Sequence, residues 1–159
     1  MRILLVYYTR TGVTRRAGLA IAEALGRDVC DVEEIADRAN RTGALGYLRA
    51  GKDAALKRLT EIDPPTRVPA EYDLLIVGTP VWAFNCAPAI RTYLTEQAGH
   101  LPAVAFFCTM GGSGAAKTFA NLAELAGREP LATLALLERD VTSGNINDSV
   151  ASFVATLRN

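Results

Sequence analysis

Five short apolar runs, each followed by a stretch with helical spacing, leave this chain few ways to fold. The runs are Arg2–Tyr8, Asp28–Ile35, Tyr72–Gly78, Pro102–Cys108 and Leu131–Glu138. Runs this apolar suit strands covered on both faces, and their alternation with helices implies a parallel sheet between two helical layers. Ala17, Ile21, Ala24 and Leu25 share a helical face that stops at Gly26, which predicts a helix over Thr14–Leu25. Leu45, Leu48, Ala55, Leu56 and Leu59 predict a second helix, Leu45–Leu59, within the long connection Ala36–Glu71, although Gly46 and Gly51 weaken it. Pro88 suits the first turn of a helix carrying Ile90, Tyr93 and Leu94, and Val150, Phe153, Val154 and Leu157 mark the last helix. The order βαβαβαβαβα predicts a three-layer, doubly wound α/β fold with strand order 2-1-3-4-5, in a single domain over residues 1–159.

Composition removes several functions. Basic and acidic residues balance at 17 each, so no overall field draws nucleic acid, and no basic tail is present. No apolar stretch approaches the length of a membrane span, and Arg2 leads straight into a strand pattern rather than a leader, so a cytoplasmic protein is expected. Cys30, Cys86 and Cys108 are odd in number and widely spaced, which argues against a disulfide framework or a zinc site; no metal ligands are expected.

In a doubly wound sheet, ligands sit beyond the carboxyl ends of the strands where the strand order reverses. The loops after the first, third and fourth strands should therefore meet. The first is Thr9, Arg10, Thr11, Gly12, Val13 and Thr14, three hydroxyls around a glycine at the start of a helix, which is a setting for an anion. It lacks the lysine of a Walker A loop and the spaced glycines of a dinucleotide fingerprint. Arg10 has three readings here: pairing with a phosphate, facing a partner, or lying solvated beside Arg15 and Arg16. The second loop, Thr79, Pro80, Val81, Trp82, Ala83, Phe84 and Asn85, holds the only tryptophan. The third, Thr109, Met110, Gly111, Gly112, Ser113 and Gly114, has the missing β-carbons that let backbone approach a flat ligand. Cys86 precedes a helix start, yet a packed thiol is expected there rather than a redox group.

Thr-x-Thr-Gly-x-Thr after the first strand, with Gly78-Thr79-Pro80-Val81-Trp82-Ala83 and the following Ala87-Pro88-Ala89-Ile90-Arg91, resembles the flavodoxin family, and the resemblance covers the whole chain. It implies FMN as cofactor, with the phosphate in the first loop, Trp82 against the isoalloxazine ring, and backbone of Ala83 and the Gly111–Gly112 turn at the ring's polar edge. The chain also departs from that family. It is neutral where electron-carrying flavodoxins are usually acidic, and its third loop has no aromatic residue, so unless Tyr47 or Phe84 substitutes, the ring lies open to a nicotinamide or a quinone. Ala83 and Phe84 also stand where glycine would ease a backbone flip, which predicts weak stabilisation of a one-electron-reduced flavin. The expected function is an oxidoreductase passing electrons from NAD(P)H to a quinone or other small acceptor. The alternatives are a one-electron carrier serving a redox partner protein and, third, an interaction module that has lost its flavin. No catalytic acid or base stands out, and hydride transfer needs mainly positioning.

Overall fold

A computed structural model describes residues 1–159. In chain order the elements are β1 Ile3–Tyr7, α1 Val13–Leu25, β2 Cys30–Glu34, α2 Gly43–Ala55, β3 Leu74–Trp82, β4 Asn85–Cys86, α3 Pro88–Glu96, β5 Ala103–Met110, α4 Ala115–Ala126, β6 Thr133–Leu137, α5 Glu138–Ser143 and α6 Asn147–Leu157. The long strands pair in the order β2-β1-β3-β5-β6, all parallel, which is the predicted order once the short β4 is set aside. β1 lies at the reversal point between β2 and β3.

Alternation along the buried strands divides the core in two. Ile3, Leu5, Tyr7, Leu74, Ile76 and Phe107 face one way and pack with α1 and α6. Leu4, Val6, Leu75, Val77 and Phe106 face the other way and pack with α3 and α4. Every residue of β1 is buried, as its unbroken apolar run requires. At about 1.5–3 kcal/mol per buried large apolar side chain, these two faces supply the main driving force for the fold.

The structure corrects several predicted boundaries. β3 runs on to Trp82, because its pairing with β5 continues to Pro80 opposite Thr109 and β4 then folds back on it; Thr79–Trp82 are strand, not loop. α2 occupies Gly43–Ala55 rather than Leu45–Leu59, since Lys57 turns left-handed at φ 53°. β2 starts at Cys30, after a turn in which the Val29 and Cys30 amides bond the Gly26 carbonyl. Glu138 begins α5, a helical turn that the sequence pattern does not announce.

One close approach sets the sheet geometry beneath the functional end. Gly78 pairs with Phe107 in the β3/β5 register, and the Phe107 ring lies against it: a β-carbon there would collide with Cζ. Gly78→Ala is expected to lower stability by about 1–3 kcal/mol in urea unfolding, and Phe107→Leu in the same chain should recover part of that loss by removing the obstructing ring.

Candidate functional site

The three predicted loops do meet. They enclose a cavity of about 620 Å³ beyond the carboxyl ends of the strands, within the range of small-molecule sites. Of the residues singled out in the sequence, Thr9, Arg10, Thr11, Val13, Thr14, Pro80, Val81, Trp82, Ala83, Thr109 and Gly111 line it. Gly12, Thr79, Phe84, Met110, Gly112 and Gly114 do not. α2 and the start of α5 add Tyr47, Leu48, Ala50, Gly51, Lys52 and Glu138, of which only Tyr47 is a sequence candidate.

The end of the cavity formed by the first loop is built from backbone. Gly12 takes φ 96°, turning the chain sharply into α1, whose first turn contains no acidic side chain. The Gly12 amide donates to Thr9 Oγ1 at 2.9 Å, and the next amide with a helical partner is that of Arg16, which bonds the Gly12 carbonyl. The intervening first-turn amides are therefore available to a ligand, and the helix dipole favours negative charge there.

Two threonines at the loops have their hydroxyls satisfied within the protein. Thr14 Oγ1 shares a buried hydrogen bond of 2.8 Å with Thr109 Oγ1, joining the first loop to the third. Thr79 is fully buried: its hydroxyl donates to the Pro80 carbonyl and accepts from the Ala87 amide, fixing the start of α3. Arg10 lines the cavity and spends two of its donors on backbone. Its Nε donates to the Arg41 carbonyl at 2.8 Å, its second contact is the Gly43 carbonyl at 3.3 Å, and it stacks 5.6 Å from the Tyr47 ring centre. The first loop thus grips the start of α2.

Trp82 is held from two sides. Tyr8 meets it edge-on at 5.4 Å, and the Arg41 guanidinium lies 5.8 Å over its ring. Arg41 is buried and bonds Asp37 at 2.6 Å and Asp53 at 2.9 Å. Burial pulls its proton affinity down, and the bonds to the two carboxylates more than reverse that. Gly46 presses on the same residue, since a β-carbon there would collide with the Arg41 backbone. Sequence reasoning missed Arg41 because it lies in a polar stretch without periodicity; the only trace is an acid four residues before it.

The β3–β4 ribbon closes the remaining side. Ala83 and Phe84 form its two-residue turn with φ 48° and 62°, left-handed at both places, as a tight hairpin demands. The Ala83 carbonyl accepts from Asn85 Nδ2 at 3.1 Å, which pins the turn. Phe84 covers the third loop: a β-carbon on Gly114 would meet its ring at 2.9 Å, so the close approach at Gly114 is to protein rather than to a ligand. Cys86 is buried and donates to Asn121 Oδ1, and burial pushes its thiol up to about 11. That agrees with a packed thiol.

Two outcomes are expected. Arg41→Met strands the Asp37 carboxylate, 2% exposed, and should cost about 3–5 kcal/mol in urea unfolding while changing Trp82 emission; adding Asp37→Asn should recover part of the loss. Burial also pushes Cys30 up to about 11, and Cys108 and Tyr8 up to about 12. These groups bind their protons more tightly folded than unfolded, so their contribution is complete below the unfolded thiol value of 9.0 and is lost as pH climbs through 11 to 12. Urea midpoints should be flat near neutrality and fall above about pH 9, and native thiols should resist alkylation at neutral pH.

The flavodoxin family profile matches residues 2–153 of the chain. A flavoprotein from Lactobacillus acidophilus NCFM, crystallised in complex with FMN, superposes with a TM-score of 0.73 at 22% identity, covering 89% of this chain and 97% of that one. A protein from Bacteroides uniformis ATCC 8492, provisionally described as a flavoprotein, gives 0.77 at 24% identity over 97% of each chain. An NADH:FMN oxidoreductase in its apo form gives 0.53 at 15% identity, covering 98% of this chain and 90% of that one. Comparison with curated protein sequences returned no significant match. Identities this low make the structural likeness one of fold; the profile, which spans nearly the full length, places the chain in the flavodoxin family.

Proposed function

We propose that the cavity binds FMN and that the protein is an oxidoreductase drawing on NAD(P)H to reduce a quinone or another small acceptor. The observation that carries the reading is the joining of two unlike sites in one cavity. Free first-turn amides of α1 suit a phosphate, and Val81, Trp82 and Tyr47 offer apolar and aromatic surface to a flat ring. Gly111 has open space around its α-carbon, so backbone can approach the ring edge there. Bound FMN supplies a carrier that accepts either a hydride or single electrons. The protein's own part is positioning: the α1 amides hold the phosphate end, and Trp82, braced by Tyr8 and Arg41, orients the ring.

The hairpin favours hydride chemistry. Its left-handed turn is already formed and the Ala83 carbonyl is engaged by Asn85, so reorienting that peptide means breaking a bond. β-carbons at Ala83 and Phe84 oppose positive φ; the fold accepts that strain, about 1–2 kcal/mol per residue, and locks the turn in it. The second reading, a one-electron carrier with a protein partner, draws on Tyr47 and Trp82 lining the same cavity, a pair of aromatics able to flank a ring.

Titration with FMN is expected to quench Trp82 emission, and Trp82→Ala should weaken binding tenfold or more, about 1.4 kcal/mol. Anaerobic NADPH or NADH should then bleach the bound flavin directly, with reoxidation by added quinone. Binding without bleaching would assign the protein to the carrier class, and no binding would overturn the site.

A further inference from the structure

α2 packs with its side-chain sizes reversed. The residues it buries are small, Gly46, Ala50 and Ala54. Its large apolar residues face solvent: Leu45 is 83% exposed, Leu48 65%, and Leu56, at the end of the helix, 55%. A surface helix ordinarily buries its large apolar side chains and exposes polar ones. Leu45, Leu48, Lys52 and Leu56 fall on one stripe at helical spacing, with Arg49 beside it and Lys57, Arg58 and exposed Leu59 continuing beyond.

Charge identifies the occupant. Between Gly43 and Thr60 the sole acid is Asp53, which is turned to Arg41 and Arg58. Arg49, Lys52 and Lys57 are exposed and make no ion pair. A symmetric contact with a second copy would set these cations against themselves. Separate projecting leucines among long, flexible cations match the surface that lies in a headgroup layer, apolar tips down and ammonium groups at the phosphates. No helix of this protein is long and apolar enough to cross a membrane.

We propose that the outer face of α2 docks the protein on an anionic lipid bilayer, with Leu45, Leu48 and Leu56 inserted and Arg49, Lys52 and Lys57 against the headgroups. Leu48 and Lys52 also line the cavity, so docking brings its mouth to the boundary where apolar quinones partition. That last consequence rests on the proposed function; the docking itself does not.

Flotation of the purified protein with vesicles tests it, without need of FMN or turnover. Phosphatidylcholine vesicles containing phosphatidylglycerol are expected to capture about tenfold more protein than phosphatidylcholine alone at low salt. Leu45→Glu/Leu56→Glu and, separately, Arg49→Glu/Lys57→Glu should each lower capture about tenfold or more, with circular dichroism and FMN titration unchanged. Equal capture by the two vesicle types, no capture, or capture indifferent to both variants would overturn the proposal. A dimer in sedimentation that Leu45→Glu/Leu56→Glu dissociates, with no flotation, would overturn it in favour of a second copy.

Discussion

Arg41 is the point on which the ligand-facing end of the molecule depends. Its guanidinium is held by Asp37 and Asp53 and lies over Trp82, while its carbonyl receives Arg10 from the first loop and its backbone is the surface against which Gly46 packs. Burying a cation with two carboxylates earns little stability by itself. Its effect is geometric. The parallel sheet opens a crevice where β2 and β3 diverge around β1, and the Arg41 cluster fixes how the long connection between those strands closes over it.

The five long strands, their order and both helical layers were legible, though the short β4 was not: parallel strands covered on both faces must read as apolar runs, and the helices betray themselves by their core stripes. The three site loops followed from topology. Local geometry was less legible. β4 rests on left-handed Ala83 and Phe84, residues that disfavour such a turn on their own and are held in it by tertiary packing and Asn85. α5 begins directly at the end of β6, with no cap or turn residue between, so nothing at Glu138 separates helix from strand. The hydroxyls of Thr14 and Thr79 are satisfied within the protein, which a hydroxyl count cannot reveal. Arg10 is similar: its charge was visible, its partner thirty-one residues away was not.

Residues around the cavity divide by what they rest on. Those on the first and third loops are anchored to strand ends and the α1 terminus, a rigid frame. Those on α2 are anchored through Arg10, Arg41 and small-residue packing, a thinner attachment with fewer buried apolar contacts. The side of the cavity formed by Tyr47, Leu48 and Lys52 is thus the side best able to adjust to a second molecule arriving over the first, while the side expected to hold the cofactor keeps its shape.

The hydroxyl pair Thr14–Thr109 gives that rigid side a further property. One buried hydrogen bond of 2.8 Å joins the first turn of α1, where the proposed function puts a phosphate, to the end of β5, which leads into the loop proposed to meet a flat ring. The separation between those two places is therefore set within the protein, before any ligand arrives. If the proposed function holds, such a frame would work as a gauge of length: a guest whose span from charged end to planar end equals the span already built would reach both, and one of the same chemistry on a shorter tether would reach either end alone.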